Sequence, residues 1–214
     1  MLWRWLFIIT PLLFGQTQYP TDSLLISKSI PLTNKIGMIP IAAWQRLSYN
    51  TDLLNCQFYP SCSNYGAQSI REYGLFRGSV ITSERIVRCN PFALNYHLEA
   101  NDPFRASDGR LIDYLNPYVG TLKINKSPLF ASFLSALIPG LGRIYGGRTW
   151  DGVLGIWTMY LAGSTAYYSV RNQHSISGPI FGTIALIVYF GEIYGGWRTV
   201  KYYQKKKLNK ENKP

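Results

Sequence analysis

The sequence predicts a mainly α-helical protein: a small Cys-containing helical hairpin unit joined to a two-helix transmembrane hairpin. Three observations predict it. Charged residues make up only 15% of the 214 residues, against roughly 25% in soluble domains, so part of the surface is expected to face lipid. Gly152–Val170 and Gly178–Trp197 are apolar runs of 19 and 20 residues, the length a helix needs to cross a ~30 Å hydrocarbon core. Between Cys56 and Pro91, turn residues at Gly74 and Asn90-Pro91 divide the chain into two short helical patterns.

From the amino terminus, residues 1–15 hold an apolar run, Leu2–Phe14, with Arg4 near its start and Gly15 at its end. Two readings fit: a secretory signal peptide, or an uncleaved interfacial anchor with Trp3 and Trp5 at headgroup level. Residues 16–38 are polar and read as a linker. Residues 39–104 form the Cys unit. It begins with apolar Ile41, Trp44 and Leu47 at helical spacing, then Leu53 and Leu54, with Pro40 in the first turn. This segment suits either the plane of a membrane interface or packing on its own domain. Ser63 is the expected N-cap of a helix over Asn64–Tyr73 closed by Gly74. Gly78 or Ser79 starts a second helix through Val80, Ile81, Ile86 and Val87.

Residues 105–127 read as a connecting loop, and residues 128–200 as the membrane module. In the latter, Pro128–Gly147 is apolar but broken by Pro139, Gly140, Gly142, Arg143 and Gly146-Gly147. That pattern suits a half-inserted or interfacial segment better than a third span. Arg171–Ser177 closes the hairpin. Small residues (Gly155, Ala162, Gly163, Ala166; Gly182, Ala185, Gly191) permit close helix approach in lipid. Residues 201–214 are a basic tail. Seven Lys or Arg lie within the last 17 residues, from Arg198 to Lys213, out of a net charge of +11. So concentrated a charge beside an apolar run implies attraction to anionic lipid and does not suggest nucleic-acid binding. The positive-inside tendency places that tail in the cytoplasm, and a two-span hairpin puts the Cys unit on the same side.

The densest constellation runs Cys56-Gln57-Phe58-Tyr59-Pro60-Ser61-Cys62-Ser63-Asn64-Tyr65, then Gly74, Gly78, and Arg85-Ile86-Val87-Arg88-Cys89-Asn90-Pro91. It resembles the YidD family of membrane-protein insertion efficiency factors over about residues 40–104. The Trp44–Ser48 lead-in is similar too. Phe92–Asn101 lacks the glycines usual after that signature, while Asp102-Pro103 keeps its Asp-Pro. The resemblance implies a membrane-associated protein on the cytoplasmic face of a bacterial inner membrane. There it would assist nascent membrane proteins near the YidC insertase and the Sec channel. It carries over no catalytic residue. A second string, Pro139-Gly140-Leu141-Gly142-Arg143-Ile144-Tyr145-Gly146-Gly147, resembles the start of two-helix modules of the TM2 type.

No cofactor and no enzymatic activity are expected. A cysteine nucleophile needs a nearby base, and His97 and His174 are the only histidines. Cys56, Cys62, Cys89 and His97 could in principle hold zinc, but their spacing matches no familiar finger or ribbon, so no metal is expected. Buried thiols, or a Cys56–Cys62 or Cys62–Cys89 disulfide, remain the two readings of the cysteines. Glu192 inside a span suggests either a functional carboxylate or a side chain reaching the interface. The rival to an insertion role is an exported Cys-containing binding module tethered by the hairpin. An ion-conducting membrane protein is a weaker third.

Overall fold

A computed structural model describes residues 19–51, 56–116 and 126–202. The amino-terminal apolar run, Leu53 and Leu54, residues 117–125 and the Lys-rich residues beyond Tyr202 lie outside the described residues. Within them the helices are α1 (Pro20–Ile26), α2 (Leu32–Ser48), α3 (Cys62–Tyr73), α4 (Leu75–Arg88), α5 (Ala93–Ala100), α6 (Pro128–Leu137), α7 (Leu141–Tyr145), α8 (Thr149–Arg171) and α9 (Ser177–Tyr202). Two short strands, β1 (Phe58–Tyr59) and β2 (Leu111–Ile112), pair in parallel with Phe58 opposite Leu111.

The sequence predicts a linker over 16–38, yet α1 and the first half of α2 lie there. Polar side chains hide these helices because they point inward. Asn34 donates from Nδ2 to the Ile70 carbonyl at 3.1 Å, a second bond beside that from the Gly74 amide. The Gln45 Oε1 accepts from the Thr21 amide at 3.1 Å, and its Nε2 donates to Asn64 Oδ1 at 2.8 Å. Pro40 therefore sits inside α2 and not in its first turn.

The α3–α4 hairpin is the expected one with shifted ends. Ser61, not Ser63, caps α3, its hydroxyl accepting from the Asn64 amide at 3.4 Å. Gly74, at φ +83, ends α3 and directly precedes α4, so α4 starts at Leu75 and not at Gly78 or Ser79. Gly78 instead serves the packing: a Cβ there would stand 2.5 Å from the Ile70 Cα. Residues 105–127 are also more than a connector, since β2 and the buried Asp113 belong to the Cys unit. The stretch Phe92–Asn101, which holds no glycine, contains α5.

In the carboxyl-terminal part α9 packs against α4, α6, α7 and α8. At ten residues, α6 is about 15 Å long, half of what a span requires. The expected hairpin of α8 and α9 is present. Among the described residues one helix, α9, is both long and apolar enough to cross a membrane. The 23 residues of α8 have the length, but its Thr, Ser and Tyr residues lower its hydropathy.

Candidate functional site

The motif residues converge at the junction of β1, α3 and α4. Cys56 precedes β1, Cys62 opens α3 and Cys89 follows α4, so three elements deliver three sulfurs to one place. The Sγ atoms of Cys56 and Cys62 are 3.5 Å apart, those of Cys56 and Cys89 3.9 Å, and all three lie within 4.8 Å of one another as free thiols. The Cys62 amide donates to the Cys56 sulfur at 3.3 Å, and Gln57 Nε2 to that of Cys89 at 3.9 Å. Contact with Cys62, then Cys89, pulls the Cys56 thiol well below its ordinary range, while contact with Cys56 pushes Cys62 up. Phe58, Ala93 and Leu111 back it on one side. On the other, Cys56 and Cys62 line a cleft of 790 Å³. His97 does not join the sulfurs; its Nε2 bonds the Pro103 carbonyl at 2.9 Å, which fixes the turn at Asp102-Pro103 away from the cluster.

Arg85 and Arg88, the paired basic residues of the motif, are fully buried. The Arg85 guanidinium lies 4.2 Å over the Phe58 ring and 4.5 Å over Tyr65. Its NH2 donates to the Pro60 carbonyl at 3.1 Å and its NH1 to that of Asp113 at 2.9 Å. Arg88 clasps Glu84 through Nε and NH2 and reaches Asp113 Oδ2 at 2.6 Å. Each of these motif positions has a mechanical role. Pro91, by contrast, is exposed and only follows the turn at Asn90.

Two more arginines enter this cluster from the membrane module. Arg143 of the Gly-rich string is fully buried. It grips Glu192 with two bonds, 3.0 Å from Nε and 3.2 Å from NH2, and its NH1 lies 3.3 Å from Glu84 Oε1. Arg198 donates to the Tyr65 hydroxyl at 2.7 Å and stands 3.9 Å from Glu84 and 3.6 Å from Asp113. Glycines make room: a Cβ on Gly155 would collide with the Glu192 carboxylate, and one on Gly195 with the Arg143 guanidinium. Gly140, at φ +88, turns the chain into α7, and Gly142 lies against α6. Pro139 and Gly147 flank this bend, and Tyr145 packs on Phe130. Two sequence expectations fail here. Glu192 does not reach outward, because it is buried and held by Arg143. Arg198, expected in the basic tail, is an interior residue.

Burial alone would raise the Glu84 carboxyl, but the charges of Arg88, Arg198 and Arg143 overcome this and hold it at about 2. Asp113 is likewise held low: burial opposes it, and Arg88, Arg85 and Arg198 prevail. The sign follows from linkage. A depressed carboxylate contributes stability that is complete above its unfolded value of 4.5 and is lost as pH falls through the folded value. Thermal stability in detergent should therefore fall as the pH is lowered from about 4.5 to 2, and Glu84→Gln should flatten that limb of the profile.

The geometry defines a class before it defines a family: a small Cys-motif helical domain clasped onto a helical hairpin by buried ion pairs. The chain matches the YidD family, described as "Putative membrane protein insertion efficiency factor", over residues 33–103. A protein of that description from Syntrophotalea carbinolica is 43% identical over 61 residues, 28% of this chain and 88% of that protein. One from Exiguobacterium is 42% identical over 52 residues, 24% of this chain and 58% of its own length. One from Endomicrobium trichonymphae is 57% identical over 37 residues, 17% and 50% respectively. This chain thus spans about half the length of the latter two. No solved structure matches. The chain belongs to the YidD family, with the hairpin carried outside the matched residues.

Proposed function

We propose that this chain is a non-enzymatic accessory factor for insertion of integral membrane proteins, resident in the bacterial inner membrane. The observation that supports it most is where the apolar surface lies. Leu129, Phe133, Leu137, Trp157, Tyr160, Leu161, Ile180, Ile184 and Leu186 all face outward on α6, α8 and α9, a belt that water would not tolerate on a monomer. Within the family domain, α2 is apolar on both faces. Asn34, Met38, Ala42, Gln45 and Ser48 face inward, whereas Leu32 (73% exposed), Ile36, Ile39 and Leu47 face outward. Such a face suits the bilayer interface.

In this reading α9 crosses the bilayer with α8 beside it, and α6 dips in only part way. The family domain sits at the end of the hairpin where α9 leads to the basic tail, since Tyr65 and Arg198 touch. Both then lie on the cytoplasmic side, within reach of the YidC insertase, the Sec channel and emerging membrane segments. The domain acts by holding apolar and cationic surface at the point of insertion.

Two experiments test this. The chain should resist alkaline carbonate extraction, and a truncation ending near Lys126 should be released; equal resistance would remove the hairpin as anchor. Charging the outer face of α2 with Leu32→Glu, Ile36→Glu and Ile39→Glu together should lower insertion of a model client several-fold in depleted cells. Because these side chains are exposed, the melting temperature should hold. Undiminished insertion at normal abundance would refute the interfacial role of α2.

A further inference from the structure

We propose that Cys56, Cys62 and Cys89 form a trithiolate site for one thiophilic closed-shell metal ion, Zn²⁺ or Cu⁺. A metal–sulfur bond of about 2.3 Å in tetrahedral geometry places ligand sulfurs about 3.8 Å apart. Here two of the separations are 3.5 and 3.9 Å, with all three sulfurs inside 4.8 Å. The sulfurs need only small rotations to enclose an ion, whereas any disulfide would draw one pair to about 2 Å and strand the third thiol.

The surroundings also suit a metal thiolate. Amide donors from Cys62 and Gln57 already point at the sulfurs, as outer-shell groups of metal thiolates do. Apolar Phe58, Ala93 and Leu111 shield one side. The cleft beside Cys56 and Cys62 leaves a fourth position open to water or a soft exogenous ligand. All-sulfur donors select soft or borderline ions over magnesium and calcium. Three deprotonated thiols around Zn²⁺ carry one net negative charge. The sequence spacing could not indicate this site, because β1 and the α3–α4 hairpin, not a short knuckle, bring the ligands together.

The test uses the full-length chain purified in detergent without oxygen or added chelator. Elemental analysis should find about one zinc or copper ion per chain. After stripping, Zn²⁺ or Cu⁺ added alone should rebind at one equivalent, more tightly than micromolar, and protect three thiols from a thiol reagent. Cobalt substitution should give sulfur-to-metal charge-transfer bands. Cys56→Ser, Cys62→Ser and Cys89→Ser should each abolish tight binding, while His97→Gln should retain it. Stripping and refilling of wild-type protein gives the answer even if the serine variants do not fold. Three equally reactive thiols in the presence of either ion, a mapped disulfide in the anaerobic protein, or binding weaker than micromolar would overturn the assignment.

Discussion

Glu84→Leu should cost this protein about 3–5 kcal/mol, the loss expected when one partner leaves a buried ion cluster. Glu84 has no exposure and carries Arg88, Arg143 and Arg198 around its two oxygens. Deleting it leaves those three guanidiniums and that of Arg85 buried, with Asp113 and Glu192 beside them. The loss should appear in both parts of the molecule, because Glu84 belongs to α4 while Arg143 lies on α7 and Arg198 on α9. Thermal unfolding in detergent, followed by proteolysis at both ends of the chain, measures it. A loss under about 1 kcal/mol would mean that water screens the cluster as it screens a surface pair.

The second large effect is steric. Gly78→Ala should destabilise by about 3 kcal/mol, at the upper end for added core volume. The new methyl meets Ile70 backbone and not a flexible side-chain tip, so α3 and α4 must separate. Gly182→Ala supplies the contrast. Nothing lies within 4 Å of its added Cβ, and alanine favours a helix over glycine by about 1 kcal/mol; that variant should be neutral or stabilised. Equal effects from the two would refute the close approach of the helices.

What the sequence reveals and what it hides divide along a physical line. The string from Cys56 to Pro91 can be read because its residues are unusual and its spacing local. The α3–α4 hairpin can be read because Gly74 punctuates it. The ion cluster cannot. Glu84, Arg143, Asp113 and Arg198 are far apart in the chain, and a charged residue read alone is expected at a surface. Arg198 groups by sequence with the lysines that follow it, and Asp113 falls in a segment rich in turn residues. The segment ahead of Ile39 reads as linker because Thr21, Asp22 and Asn34 point inward, reversing the usual rule. Ser61 and Ser63 both fit a cap pattern, and one-residue chemistry does not choose between them.

The family domain and the hairpin form one body, joined where α4 meets α9, and Ser83 and Gly191 report on this joint most directly. A Cβ on Gly191 would stand 3.1 Å from the Ser83 Cβ, a small shift from the about 3.5–4.5 Å of a disulfide. With Ser83→Cys and Gly191→Cys introduced together, mild oxidation in native membranes should give a bridge between positions 83 and 191 in high yield, located by peptide mass mapping. Its absence, with both new thiols modified freely by a maleimide and the protein at normal abundance, would contradict the joint.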